Sequence, residues 1–164
     1  MRACVYPGSF DPFTIGHRDV LEGASRMFDK VYLGVLNNIT KHPVFGVEER
    51  VAMAQRVVDM EGYPNVEVLS FDGLVVEFTR KVGAQYIIRG LRASTDFEYE
   101  FQIDAINYHL DSSIQTVYFM AKPAHSFLSS SNVKEICYWG GSIEGLVPSY
   151  NLEEIRERLA RGHE

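Results

Sequence analysis

The chain has 164 residues, 46% hydrophobic and 23% charged, enough to bury one ordinary core but not two. Its formal net charge of −6 argues against a nucleic-acid or anionic-membrane surface, because those partners need clustered Lys and Arg, so any phosphate site must be a local cationic pocket. It contains no apolar run of about 18 residues and no signal-like segment, and a soluble, cytoplasmic, single-domain protein over residues 1–164 is expected.

The first apolar run, residues 3–6, reads as a buried strand that breaks at Pro7-Gly8. The segment YPGSFDPFTIGH, from Tyr6 to His17, then gives a strand, a glycine-punctuated loop with Ser9, Asp11 and Thr14, and a helix patterned on Val20, Leu21, Ala24, Met27 and Phe28. Unpaired N–H groups and the dipole at such a helix N-terminus favour anions, with a phosphate group as the default ligand. His17 adds a donor at the same place, and Asp11 is a possible helper there, although an Asp in a turn is more often an Asx cap. The second strand, 31–36, is followed by a loop carrying Lys41 and by a helix over 47–60, with Glu48 and Glu49 in the first turn where the dipole favours them.

A third strand, 66–71, leads to a helix over 74–82, and a fourth, 86–88, ends at Arg89-Gly90-Leu91-Arg92. Two guanidiniums past a strand end suit a phosphate, because each planar fork donates parallel hydrogen bonds. Gly90 is expected to allow a sharp turn there. Residues 96–104 alternate as a strand would, yet Tyr99, Ile103, Ile106 and Leu110 share a helical stripe with Asp96 as N-cap, and we read a helix. Its apolar groups occupy more than one face, which calls for a subunit neighbour.

The fifth strand, 115–120, precedes Ser126-Phe127-Leu128-Ser129-Ser130-Ser131, a hydroxyl run entering a helix where Asn132 and Glu135 stand at capping-box spacing. A last amphipathic helix is capped by Asn151, built on Leu152, Ile155 and Leu159, and ends near Gly162. Cys4 and Cys137, with no C-x-x-C, read as buried thiols in a reducing compartment. The β-α-β-α order implies an α/β fold: a doubly wound, Rossmann-like sheet of five parallel strands. Ligands of such sheets bind beyond the carboxyl ends of the strands, where the strand order reverses.

Thr14-Ile15-Gly16-His17 resembles the T/H-x-G-H signature of the nucleotidylyltransferase superfamily. The full YPGSFDPFTIGH string, the TKHPVF loop around Lys41, DFEYE from Asp96 to Glu100 and the Ser126 to Ser131 run resemble the phosphopantetheine adenylyltransferases, from Tyr6 to about Glu135. The resemblance implies a coenzyme A biosynthetic enzyme that moves the adenylyl group of ATP to 4′-phosphopantetheine, giving dephospho-coenzyme A and pyrophosphate. It also implies a homohexamer of paired trimers. Mg²⁺ is expected on the phosphate oxygens with waters, since the sequence shows no carboxylate cage. Carried over by position, Ser9, Phe10, His17, Gly90, Arg92, Tyr99, Glu100, Ser129, Ser130 and Ser131 would hold ATP. Ser9, Lys41, Leu74, Val75, Arg89, Ile103, Asn107 and Glu135 would surround phosphopantetheine, with His17, Lys41 and Arg92 as the catalytic set.

The acceptor phosphate is already an anionic nucleophile, so alignment and charge stabilisation would carry the chemistry. Three positions depart from the family pattern: Ser9 where Thr is common, Leu128 where Ile is common, and His125 where Trp is common, which bears on the adenine side. Another nucleotidylyltransferase specificity, or a non-catalytic nucleotide-binding module on the same fold, are the alternatives.

Overall fold

Five apolar runs, rich in Val, Ile, Leu and Tyr, pair as one fully parallel sheet in the order β3-β2-β1-β4-β5, in a computed structural model that describes residues 1–38 and 40–160 apart from the side chains of Ser94 and Thr95. The strands are β1 (Ala3–Gly8), β2 (Lys30–Leu36), β3 (Val66–Phe71), β4 (Tyr86–Leu91) and β5 (Gln115–Met120). The helices are α1 (Ile15–Met27), α2 (Val47–Glu61), α3 (Val75–Lys81), α4 (Ser94–Leu110), α5 (Ser130–Tyr138) and α6 (Leu152–Ala160).

Alternation along β1 explains why both faces are covered. Cys4 and Tyr6 join Val20, Leu21 and Ala24 of α1 and Ala54, Val57 and Val58 of α2 in one core cluster. Ala3 and Val5 point the other way, packing with Phe71 and with Phe78 of α3. A third apolar cluster, built on Met53, Phe45 and Ile15, joins α2 and the start of α1 to Val133 and Cys137 of α5 and Ile155 and Leu159 of α6. Both cysteines are free and buried, and burial pushes the Cys4 thiol up to about 12, so it is inert at neutral pH. Among the described residues no helix is long and apolar enough to cross a membrane.

Several expected boundaries differ for identifiable reasons. β1 does not break at Pro7-Gly8 but runs through both, which pair with Gly34 and Val35 of β2. Its pairing with β4 stops at Val5↔Ile87, so Pro7 lies beyond that ladder and its missing N–H costs no bond there. β4 likewise continues through Gly90 to Leu91, paired with β5, so Gly90 makes no turn. Its lack of a side chain instead clears Val20, whose Cγ2 lies 3.0 Å from where a Cβ would stand. Asp96 is not the N-cap of α4; the cap is Ala93, and Asp96 sits in the first turn, bonded to Arg92. The capping box expected at Asn132 and Glu135 is absent because the helix starts earlier: Ser129 is the cap, and its hydroxyl accepts from the Asn132 N–H at 3.0 Å. Asn151 ends a 3-10 turn, Ser149–Asn151, and its side chain bonds Arg56 and the Met53 carbonyl. The expected end of α6 near Gly162 lies outside the described residues.

On α4 the stripe facing the molecule is Asp96, Glu100, Ile103, Asp104 and Asn107; of the stripe expected from the sequence, only Ile103 is half-buried. Tyr99, Ile106 and Leu110 are exposed, as are Phe97, Phe101 and Tyr108.

Candidate active site

The switch point of the strand order lies between β1 and β4. The two strands are paired with each other only at Cys4↔Tyr86 and Val5↔Ile87; beyond that each stays paired with its outer neighbour, β1 with β2 to Gly8 and β4 with β5 to Leu91, but not with the other. That divergence opens a crevice at their carboxyl ends, as expected for a doubly wound sheet. It holds a cavity of about 310 Å³ walled by Ser9 and Phe10 after β1, His17 of α1, Arg89 to Arg92, Glu100, His125, and Ser129 to Ser131. A second cavity of about 250 Å³ shares Ser9, Ser130 and Ser131 with it and adds Lys41, Lys134, Arg50 and Asp11.

His17 is fixed by its own helix. Thr14 caps α1, its Oγ1 accepting from the His17 N–H at 3.2 Å, and Nδ1 of His17 accepts from the Thr14 N–H at 3.0 Å. The imidazole thus takes the place of the usual Glu or Gln in a capping box. Phe10 and Phe13 hold its faces, with ring centroids 4.9 and 5.4 Å away. Phe10 itself has φ 50°, a left-handed conformation that tucks its ring over Gly8, whose Cβ would meet it at 3.1 Å.

Because Nδ1 is an acceptor, the proton of the neutral ring is on Nε2, which has no protein partner among the described residues. Burial, and then the Arg92 and Arg89 cations, push this imidazole down from 6.5 to about 3. His17 is therefore a neutral N–H donor at physiological pH. A histidine depressed in the fold favours the unfolded chain once that chain can be protonated. Its contribution to stability is whole above about 6.5 and is lost as pH falls from there toward 3. We expect the His17 ring resonance of the ligand-free protein to stay flat from pH 8 to 5; an inflection near 6.5 would contradict this geometry.

The two predicted arginines differ in their commitments. Arg89 forms a bidentate pair with Glu100, Nη2 to Oε1 at 2.6 Å and Nε to Oε2 at 2.8 Å, and Glu100 is buried. Arg92 is steered by Asp96, at 2.9 Å from Nε, and by the Leu128 carbonyl, at 2.9 Å from Nη1. This aims a guanidinium at the α5 N-terminus, where the three serines have separate tasks. Ser129 caps, Ser130 Oγ donates to the Pro12 carbonyl at 2.8 Å, and the Ser131 hydroxyl has no protein partner among the described residues.

In the second cavity Lys41 is exposed and has no ion-pair partner among the described residues. Of the residues that frame it, Arg50 and Lys134 were not legible as site residues, and Asp11 was legible only as a possible helper. Asp11 is no Asx cap: its buried carboxylate accepts from the N–H groups of Val44 and Phe45 at 3.0 and 2.9 Å and from Lys134 Nζ at 3.0 Å. Arg50 is 1% exposed and donates to the carbonyls of Phe45, Ser9 and Leu36 at 2.9, 2.8 and 2.9 Å. Together they tie the Lys41 loop to the loop after β1. An arginine on the apolar stripe of α2, between Val47 and Met53, was the available signal.

Of the predicted residues, Ser9, Phe10, His17, Arg89, Gly90, Arg92, Glu100 and Ser129 to Ser131 meet in the first cavity, and Lys41 joins Ser9 in the second. Leu74, Val75, Tyr99, Ile103, Asn107 and Glu135 line neither. Leu74 caps α3, Tyr99 and Glu135 are exposed, and Ile103 and Asn107 continue the Glu100 stripe of α4.

Residues 5–136 match the cytidylyltransferase-like family. The chain is 49% identical over 158 residues to the phosphopantetheine adenylyltransferase of Lachnoclostridium phytofermentans, covering 96% of each chain. It is 47% identical to that of Clostridium kluyveri, covering 99% of this chain and 98% of the relative. Among solved structures, the Plasmodium falciparum nicotinic acid mononucleotide adenylyltransferase complexed with NaAD superposes with a TM-score of 0.70 at 14% identity, covering 95% of each chain, a likeness of fold.

Proposed function

The chain belongs to the cytidylyltransferase-like family and, within it, to the phosphopantetheine adenylyltransferases, and from that premise we propose how its crevice carries the reaction. The enzyme transfers the adenylyl group of ATP to 4′-phosphopantetheine, releasing pyrophosphate and forming dephospho-coenzyme A. An oxygen of the acceptor phosphate forms the new bond to the α-phosphorus of ATP as the bond from that phosphorus to the bridging oxygen of pyrophosphate breaks.

We assign ATP to the first cavity and the acceptor to the second, so that the attacking phosphate arrives at Ser9, which both share. The observation that carries this reading is the neutral, partnerless Nε2–H of His17 in the crevice with Arg92. Such a donor gains most where charge develops, at the α-phosphate in the transition state. Arg92, the free N–H groups of α5 and the Ser131 hydroxyl face the departing pyrophosphate. Lys41, compact and on a flexible stem, follows the acceptor phosphate. Tyr99 and the residues near α3 are assigned no contact on this geometry.

Among the described residues no three His, Cys, Asp or Glu side chains converge to hold a metal. The buried carboxylates Asp11 and Glu100 are taken by Lys134 and Arg89. Magnesium would accompany ATP, held by its phosphate oxygens and water rather than by side chains of this chain, and would neutralise phosphate charge there. A cytoplasmic location accords with two buried, unlinked thiols.

The exposed Phe97, Tyr99, Phe101, Ile106 and Tyr108 of α4 support a homo-oligomer, which we take to be the hexamer. Sedimentation at micromolar concentration should give a hexameric mass; a monomer would refute this assignment and leave the α4 surface uncovered. Pyrophosphate release from ATP on adding phosphopantetheine tests the activity itself.

A further inference from the structure

The first cavity divides its chemistry by side. Toward β1 and α5 stand charged and hydroxyl donors; toward β5 the wall is Val20, Gly90, Leu91 and Ala121, which bring no polar side-chain atom. One polar side chain enters that apolar side, His125, which ends the 3-10 turn Pro123–His125. It is not loosely held. Its Nδ1 is bonded to Asp19 of α1, whose side chain is 8% exposed and also pairs with Lys122 at 3.4 Å. Nε2 has no protein partner among the described residues.

An apolar slot with one oriented polar group is the usual form of a site that recognises a flat ring. With the phosphates at His17, Arg92 and the serines, the base of the nucleotide falls on the β5 side. We propose that His125, held by Asp19, selects the purine by the substituent on C6, favouring an amino group over a carbonyl. This rests on the adenylyl-transfer reading above. Ionised Asp19 only accepts, so the proton of the neutral imidazole sits on Nδ1 and Nε2 presents a lone pair. A C6 amino group donates to that lone pair, whereas a C6 carbonyl sets acceptor against acceptor, and a site built to bond one group rejects the other.

Inosine triphosphate, which replaces the C6 amino group by a carbonyl and carries a proton on N1, is the probe. Steady-state rates with each triphosphate and saturating phosphopantetheine are measured at pH 8. The unaltered enzyme should prefer ATP over inosine triphosphate by tenfold or more in kcat/KM. His125→Phe keeps a ring and removes both nitrogens. It should lower kcat/KM for ATP by about tenfold and change that for inosine triphosphate less than twofold, with the loss in KM. Asp19→Ala, which frees the ring from α1, should move the same ratio in the same direction and decides the matter if His125→Phe does not fold. Equal use of the two triphosphates by the unaltered enzyme, or equal losses in the variants, would overturn the inference while leaving adenylyl transfer intact. Absence of turnover with both, in the unaltered enzyme, would overturn the activity and the inference with it.

Discussion

His17→Ala should lower kcat by roughly 10²–10³-fold, the usual loss for one donor aimed at developing charge, with much smaller changes in the KM values for ATP and phosphopantetheine. His17 holds two posts, and the variant vacates both. Nδ1 closes the capping box of α1 by accepting from Thr14, while Nε2–H faces the crevice. Losing the cap removes on the order of 1 kcal/mol of stability. Losing the donor removes transition-state stabilisation. The two are separable on one purified variant, by its melting temperature and by turnover per folded molecule. His17→Gln, which puts a side-chain acceptor back at this helix position, should return the melting temperature to that of the unaltered protein. A His17→Ala enzyme with lowered stability but near-normal kcat would reduce His17 to a capping residue.

Arg50→Ala should cost on the order of 3–5 kcal/mol of folding free energy, a loss of the size seen when one side of a buried charged network is removed. The guanidinium is 1% exposed and is bonded to three carbonyls from three segments: Ser9 after β1, Leu36 at the end of β2, and Phe45 before α2. Of these carbonyls the one on Phe45 is bonded to Arg50 in a buried setting, so its lost donor is the hardest to replace. The same three segments set the Ser9 and Lys41 walls of the second cavity, so turnover of any folded fraction should fall as well. Urea unfolding measures the first effect; a loss below about 1 kcal/mol would show that these carbonyls find other partners.

The sheet was legible because its strands are short, apolar and separated by helices of clear 3.6-residue period: Val66–Phe71 and Gln115–Met120 match the sequence reading to the residue. The crevice followed from topology alone, once β1 and β4 were placed beside each other. What stayed hidden depended on long-range partners. Asp11 has the local appearance of a turn cap, yet its carboxylate is spent on Val44, Phe45 and Lys134, the last 123 residues away. Arg50 looks like one charged residue on a helix until Ser9, Leu36 and Phe45 converge on it. Gly90 suggested a turn because glycine often makes one, but its use here is to let Val20 approach β4. The stripe of α4 was misjudged because apolar residues surround the helix, and hydrophobicity cannot mark the inward side when Glu100 is the residue buried there by Arg89.

The central claim is that the acceptor's own phosphate is the nucleophile, delivered by the Lys41 chamber to an ATP held at His17 and Arg92. It is tested most directly by pyrophosphate release from ATP and Mg²⁺ with three acceptors in parallel: phosphopantetheine, pantetheine without its phosphate, and nicotinamide mononucleotide. The account predicts rapid release with phosphopantetheine and background rates with the other two. Turnover with nicotinamide mononucleotide and none with phosphopantetheine, or equal turnover with pantetheine, would contradict it.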